Sequence, residues 1–465
     1  MITISQEQHG LWSVPGLCEL DPTLGQVVLN RTAFPEAAKE IFFRRGSAAQ
    51  QLTKAIEKKS SAVLVVVGAS SSKTQSIQES LQRVFSLVRK VQIFEVQGHA
   101  DHQTIRNGIE AVHRTDPDHL IVIGGGTTLD VGKAIAGLAH QEGGEGITPF
   151  QTGERELNPD KVLPWIAVPT TSGTGSESTN NAVVELGEEK RSIRRIPPPS
   201  MIIADPCLTD SLPLSSTVIS LVDAVAQSLE VITHAAATPA VQALSLAAFL
   251  NLVQGMQVLI QDEKDPSGEW VPSDKEGSSA RITSAPAASK LTISPEIRTT
   301  LSWGSLLMGI AFAHAGLGLP HALVHFCMKF GLAHGQMVGI LLVPGLAVQA
   351  LSDGESALRL TSVEQAFINS AEENSLNLSF DQETTTSADL DFSKLLSWLE
   401  GSISKLFARV GLATSLQKAG LSAADLDWIT AQEHALGASF GVPKRRATRD
   451  ELRAVLQKAW SKQSS

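Results

Sequence analysis

Short unbroken runs of apolar residues mark the first half of the chain. Ala62-Val63-Leu64-Val65-Val66-Val67 ends at Gly68, and Leu120-Ile121-Val122-Ile123 ends at Gly124-Gly125-Gly126. Runs of this length, rich in β-branched residues, fit strands buried on both faces, as in a parallel sheet. Between them, Ile77, Leu81, Val84, Phe85, Leu87 and Val88 recur near helical spacing, which predicts a helix over Ser76 to Val91. Trp165-Ile166-Ala167-Val168 and Met201-Ile202-Ile203-Ala204 add two predicted strands, the second closing on Asp205-Pro206. Strand, helix, strand and a glycine-rich turn together predict a parallel sheet covered by helices.

After about Leu212 these runs give way to long Ala/Leu segments of helical period: Ser220 to His234, Val241 to Ile260, Leu301 to Phe330 and Ser393 to Val410. The pattern therefore divides the chain into an N-terminal extension (1–40), an α/β domain (41–212) and an all-α domain (213–465). Two polar stretches, at 261–296 and 374–390, are rich in Ser, Thr, Asp, Glu or Pro and read as surface insertions. No internal repeat of fixed period is present.

Composition narrows the classes. The 465 residues are 42% hydrophobic and 18% charged, a balance that fits a folded, soluble chain. A net charge of −10 disfavours a nucleic-acid partner. The stretches Leu301–Leu319 and Met337–Leu351 carry His314, Gln349, Gly and Pro, and read as buried core helices, so no membrane association is expected. Cys18, Cys207 and Cys327 form neither a zinc-ligand spacing nor a disulfide framework. With no basic and apolar leader at Met1–Glu7, the expectation is a cytoplasmic protein.

Two loops carry candidate chemistry. Gly124-Gly125-Gly126-Thr127-Thr128-Leu129-Asp130-Val131-Gly132-Lys133 joins a buried strand to an Ala-rich helix, a seat for pyrophosphate on a helix N-terminus. Pro169-Thr170-Thr171-Ser172-Gly173-Thr174-Gly175-Ser176-Glu177 follows another strand and offers hydroxyls to phosphate, ribose or an amide. In the second half, Asp223 and Gln227 lie four apart, as do His321 and His325, with His334 following. Each pair shares a helix face, and carboxylate plus imidazole can hold Fe²⁺ or Zn²⁺.

The paired loops, with Ala204-Asp205-Pro206, Asp223 to Glu230, Gly316 to His325, Ala333-His334-Gly335 and a weaker echo at Pro443–Thr448, resemble the iron-containing (group III) alcohol dehydrogenase family. The resemblance covers roughly Ile41 to Trp460. It implies the dehydroquinate synthase-like fold, an α/β domain with a parallel sheet and dinucleotide-binding glycine loops followed by an all-α domain, usually as a homodimer. It implies transfer of hydride between NADP or NAD and a small carbonyl or alcohol substrate. Cofactor contacts would come from Gly68, Ser70, Gly124, Gly125, Gly126, Thr127, Asp130, Lys133, Thr170, Thr171, Thr174 and Ser176. Metal ligands would be Asp223, Gln227, His321 and His334, with His325 as proton relay. Gln227 stands where the iron enzymes usually carry His, and the His321–His334 interval is one residue short of the usual spacing. A zinc site of one Asp and two His, a metal-free site like that of the maleylacetate reductases, a non-redox lyase of dehydroquinate synthase type and a non-catalytic relative are the other readings left open. Many family members carry Asp after the first strand, against the ribose 2′-hydroxyl. Gly68-Ala69-Ser70-Ser71-Ser72-Lys73 has no carboxylate there, so NADPH is expected to be accommodated, with NADH also possible.

Overall fold

The computed structural model describes residues 4–7, 10–57, 61–144, 146–187, 189–261, 293–373, 392–432 and 447–460. The stretches read as insertions fall almost wholly outside the described residues, as does Pro443–Arg446.

The central sheet has eight strands: β1 (Cys18–Asp21), β2 (Gln26–Leu29), β3 (Glu40–Phe43), β4 (Ala62–Gly68), β5 (Lys90–Val96), β6 (His119–Gly124), β7 (Trp165–Pro169) and β8 (Met201–Ala204). Their spatial order is β1-β2-β3-β8-β7-β6-β4-β5. All pairs from β3 to β5 are parallel, and the β1–β2 hairpin adds antiparallel strands at one edge. The chain steps outward from β4 to β5 and then crosses back to β6 on the other side of β4. That reversal opens a crevice at the carboxyl ends of β4 and β6, where open α/β sheets bind ligands.

Side-chain alternation explains the apolar runs. Val63, Val65, Val67, Ile121 and Ile123 pack with Leu52, Ile56, Ile77 and Leu81 of the helices Ala48–Glu57 and Gln75–Leu87. Leu64, Val66, Leu120 and Val122 face the opposite layer, with Ile105, Ile109, Val131 and Ile135 of the helices His102–Thr115 and Gly126–Leu138. Both sheet faces are covered, so every position in these runs is apolar. Each such fully buried Val, Leu or Ile contributes roughly 1.5–3 kcal/mol.

Strand β5 corrects the sequence reading. The helix predicted over Ser76–Val91 ends at Leu87, and Lys90–Val96 pairs with β4. At the sheet edge Lys90, Ile93 and Glu95 stay exposed, so the run lacks the unbroken apolar signature of an inner strand. A further hairpin, Ala182–Leu186 with Glu189–Ile193, lies outside the main sheet and reaches the segment Val324–Phe330.

Long helices at Leu214–Thr233, Pro239–Gln261, Pro295–Phe312, His334–Ser352 and Gly354–Glu373 build the second half. The helix predicted over Leu301–Phe330 is interrupted. It stops at Phe312, a short helix covers Leu319–Leu323, and the chain tightens into a 3₁₀ turn over Val324–Phe330. Gly318 at the cap and Pro320 in the first turn of the short helix cause the break. Among the described residues, the helices Leu214–Thr233, Pro239–Gln261 and His334–Ser352 are long and apolar enough to cross a membrane, yet each is largely buried within the fold.

Candidate functional site

The helix Gly126–Leu138 begins at the crevice with no side chain capping it. Gly126 and Thr127 in its first turn are partly and fully exposed, and first-turn N–H groups lack an intrahelical partner and suit an anion. Loop packing dictates the glycines. A Cβ on Gly125 would lie 3.0 Å from Thr171 Cγ2, and one on Gly126 would lie 2.7 Å from Thr174 Cγ2. The two predicted cofactor loops therefore interlock. Thr170, buried, links the first strand's loop to the second through Ser71, Oγ to Oγ1 at 3.2 Å, and its N–H donates to Gly124 O. Gly68 is buried beneath this seat and Ser70 is exposed at its rim.

Lys133, expected to contact cofactor, has another task. It is fully buried, donating to Thr179 Oγ1 at 3.0 Å and Asn181 O at 2.7 Å, with Asp130 Oδ1 at 3.5 Å. Ser176 Oγ donates to the same Asp130 oxygen at 2.5 Å. Lys133 thus fixes the Ser176–Asn181 segment to the helix, and its ammonium points into protein rather than toward the crevice.

Glu177, also buried, lines a small cavity with Thr171, Ser172, Ser302 and Ser305. Burial, opposed by a backbone hydrogen bond and by Lys133, raises its pKa to about 7. Between about pH 4.5 and 7 the native state holds a proton that the unfolded state has lost, so stability falls as pH rises through this window. Glu177→Gln is expected to unfold like the parent below pH ~4.5 and to be more stable above pH ~7, by up to about 3 kcal/mol. Denaturant titrations across this range check it; a pH-independent difference would refute it.

The helix Leu214–Thr233 carries Asp223, Gln227 and Glu230, all buried. His321 on the short helix lies between the two carboxylates, with Nε2 3.0 Å from Asp223 Oδ1 and Nδ1 in a short hydrogen bond to Glu230 Oε2. Glu230 Oε1 also accepts the backbone N–H of Gly318 at 3.0 Å and of His321 at 3.1 Å. A side chain at Gly318 would crowd this turn, since its Cβ would lie 3.0 Å from Gln349 Oε1 and 3.3 Å from Glu230 Oε1. Burial alone would lower the His321 pKa, but Glu230 and Asp223 together carry it up to about 10, so a cation that takes Nε2 as a ligand must displace its proton. His334, whose side chain is 44% exposed, approaches Asp223 Oδ1 with Nε2 at 3.7 Å. Partial desolvation, with His321, Lys190 and His325 nearby, lowers its pKa against the pull of Asp223, which favours the neutral imidazole that can act as a ligand.

Asp223, His321 and His334 present one donor atom each, all within 4.8 Å of one another. Gln227 donates from Nε2 to Asp223 Oδ2 at 3.3 Å, and its buried Oε1 has no hydrogen-bond partner among the described residues. An orphaned buried acceptor beside a carboxylate and two imidazoles is a donor set that fits a divalent cation. His325 departs from the shared-face expectation. The backbone changes from α to 3₁₀ at Val324, so His321 is buried and His325 exposed, though His325 remains close enough to act electrostatically on His334.

Sequence reading missed Glu230 and Glu95. Glu230 follows Asp223 by seven residues, two turns along the same face, and a fully buried carboxylate on so apolar a helix is a detectable signal. Glu95 reaches the loop after β4, where Ser72 Oγ donates to its Oε1 at 3.0 Å. That carboxylate is absent from Gly68–Lys73 itself and arrives from the neighbouring strand.

A parallel sheet with an uncapped helix N-terminus at its reversal is thus joined to a helical half holding an Asp-His-His cluster. Residues 38–206 match the family described as iron-containing alcohol dehydrogenase. The chain is 33% identical over 227 residues to long-chain-alcohol dehydrogenase 1 of Geobacillus thermodenitrificans, a match spanning 48% of this chain and 50% of that protein. With 1,3-propanediol dehydrogenase of Klebsiella pneumoniae it shares 24% identity over 400 residues, 84% of this chain and 89% of that one. The solved alcohol dehydrogenase from Oenococcus oeni superposes with a TM-score of 0.70 at 19% identity, covering 91% of this chain and 99% of its own. Over residues 38–206 the chain is thus similar to the iron-containing alcohol dehydrogenase family, and the solved structure shares its fold.

Proposed function

We infer that this protein is an NAD(P)-dependent oxidoreductase interconverting small alcohols with aldehydes or ketones, assisted by a divalent metal. The observation that carries the reading is the junction of the two half-sites. The loop Thr170–Ser176 interlocks with the anion seat through Thr171 and Thr174, and its Gly173 packs on Ser220 of the helix that carries Asp223. A dinucleotide anchored at Gly125–Thr127 thereby reaches toward the Asp-His-His cluster. The names of the two sequence relatives support an alcohol as substrate class.

Asp223, His321 and His334 would hold the ion, Fe²⁺ or Zn²⁺ by donor type, with Gln227 Oε1 as a weaker neighbour. When bound, the nicotinamide supplies or accepts hydride, and the ion supplies Lewis-acid polarisation of the substrate oxygen. Glu230 fixes the His321 ring so that Nε2 faces the site. His325, exposed beside His334, exchanges a proton between the substrate oxygen and solvent.

Calorimetric titration of the metal-loaded protein with NADH and NADPH tests the reading, together with turnover on a series of primary alcohols and their aldehydes. At least one dinucleotide is expected to bind, with oxidation of alcohols. Gly126→Val, which overlaps Thr174, weakens that binding about tenfold or more while the protein stays folded. Binding of neither cofactor would overturn the assignment.

A further inference from the structure

We propose that Glu95 makes the protein selective for NADH over NADPH, an inference that rests on the dinucleotide reading above. Glu95, the penultimate residue of β5, lies opposite Val67, and the adjacent Val96 accepts the N–H of Ala69 at 3.0 Å. Ser72 closes the contact by donating to Glu95 Oε1, so the loop after β4 and the end of β5 form one wall. This wall flanks the anion seat. A Cβ on Gly68 would lie 2.8 Å from Thr128 Oγ1 of the seat's helix. The opposite flank is the Thr170–Ser176 loop, which leads through Gly173 and Ser220 toward Asp223.

These positions fix the direction of the bound cofactor. Its nicotinamide must lie toward the Asp223 cluster for hydride to reach a substrate there. The adenosine end then extends the other way, across Ser70 to Ser72, and meets Glu95. A carboxylate accepts hydrogen bonds from the adenosine ribose hydroxyls, as acidic residues do in dinucleotide sites. The 2′-phosphate of NADPH would instead bring a charge of about −1.5 to −2 against it. Lys73 on the same loop is exposed and would favour that phosphate. Ser72 anchors the carboxylate, whereas a solvated lysine gains little from an exposed pairing, so repulsion prevails.

The test compares kcat/KM and direct binding for both cofactors in the parent protein and in Glu95→Gln, a change at an exposed edge position. The parent is expected to favour NADH by about tenfold or more, and Glu95→Gln to shift the ratio toward NADPH by a similar factor, a scale set by like-charge repulsion. Ser72→Ala, which frees the carboxylate, shifts it the same way to a smaller extent. A parent that favours NADPH, or a ratio unmoved by Glu95→Gln, overturns the proposal while leaving the dinucleotide site standing. Binding of neither cofactor removes the underlying reading and the proposal with it.

Discussion

Asp223→Asn is expected to abolish tight binding of a divalent metal and to lower alcohol oxidation by about a thousandfold. Lewis-acid stabilisation of charge on a substrate oxygen is worth several kcal/mol, and each 1.36 kcal/mol is a factor of ten in rate. Asp223 is the natural centre of the cluster, because its Oδ1 faces both His321 and His334. Asparagine keeps the volume and an oxygen for Gln227 to bond, so packing survives while the anionic donor is lost. Metal titration of the variant, beside a thermal unfolding curve, separates ligand loss from misfolding. Unchanged metal affinity would remove Asp223 from the coordination sphere.

Glu230→Gln comes next in size, with metal affinity expected to fall 10–100-fold, the usual effect of losing the outer partner of a ligating histidine. The carboxylate accepts from the His321 ring and from two backbone N–H groups of the Gly318–His321 turn. Glutamine can still satisfy part of this set, but it cannot hold the ring with the same charge and tautomer. A purely structural residue would lower the unfolding temperature and leave metal affinity in the folded protein unaltered. Measuring both in one variant discriminates the roles, and Glu230→Asp should recover part of the affinity.

What could be read in the linear sequence follows physical rules. Strands β4, β6, β7 and β8 announce themselves because their inner positions are buried on both faces and so form unbroken apolar runs. Edge strand β5 and the hairpins do not, since one face or edge meets water and the alternation is broken by Gln92 and Glu95. In the site, the helical spacing of Asp223 and Gln227 translates directly into a hydrogen bond between them. The same rule misplaces His325, because spacing assumes one helix and the chain changes to 3₁₀ just before it. Lys133 looked available from its motif, yet its partners Thr179 and Asn181 lie more than forty positions away. Glu230 and Glu95 gain their roles from tertiary neighbours, a glycine–proline turn for one and strand register for the other. No linear spacing encodes either contact.

The central claim is that Asp223, His321 and His334 form one metal site serving a nicotinamide-dependent reaction. Its most direct test is titration of chelator-treated protein with Zn²⁺ or Fe²⁺, reading bound ions per chain in the parent and in a His321→Ala/His334→Ala variant. The account predicts one ion per chain in the parent and loss of that ion in the variant. An ion absent from the parent, or retained equally without the two histidines, would contradict it.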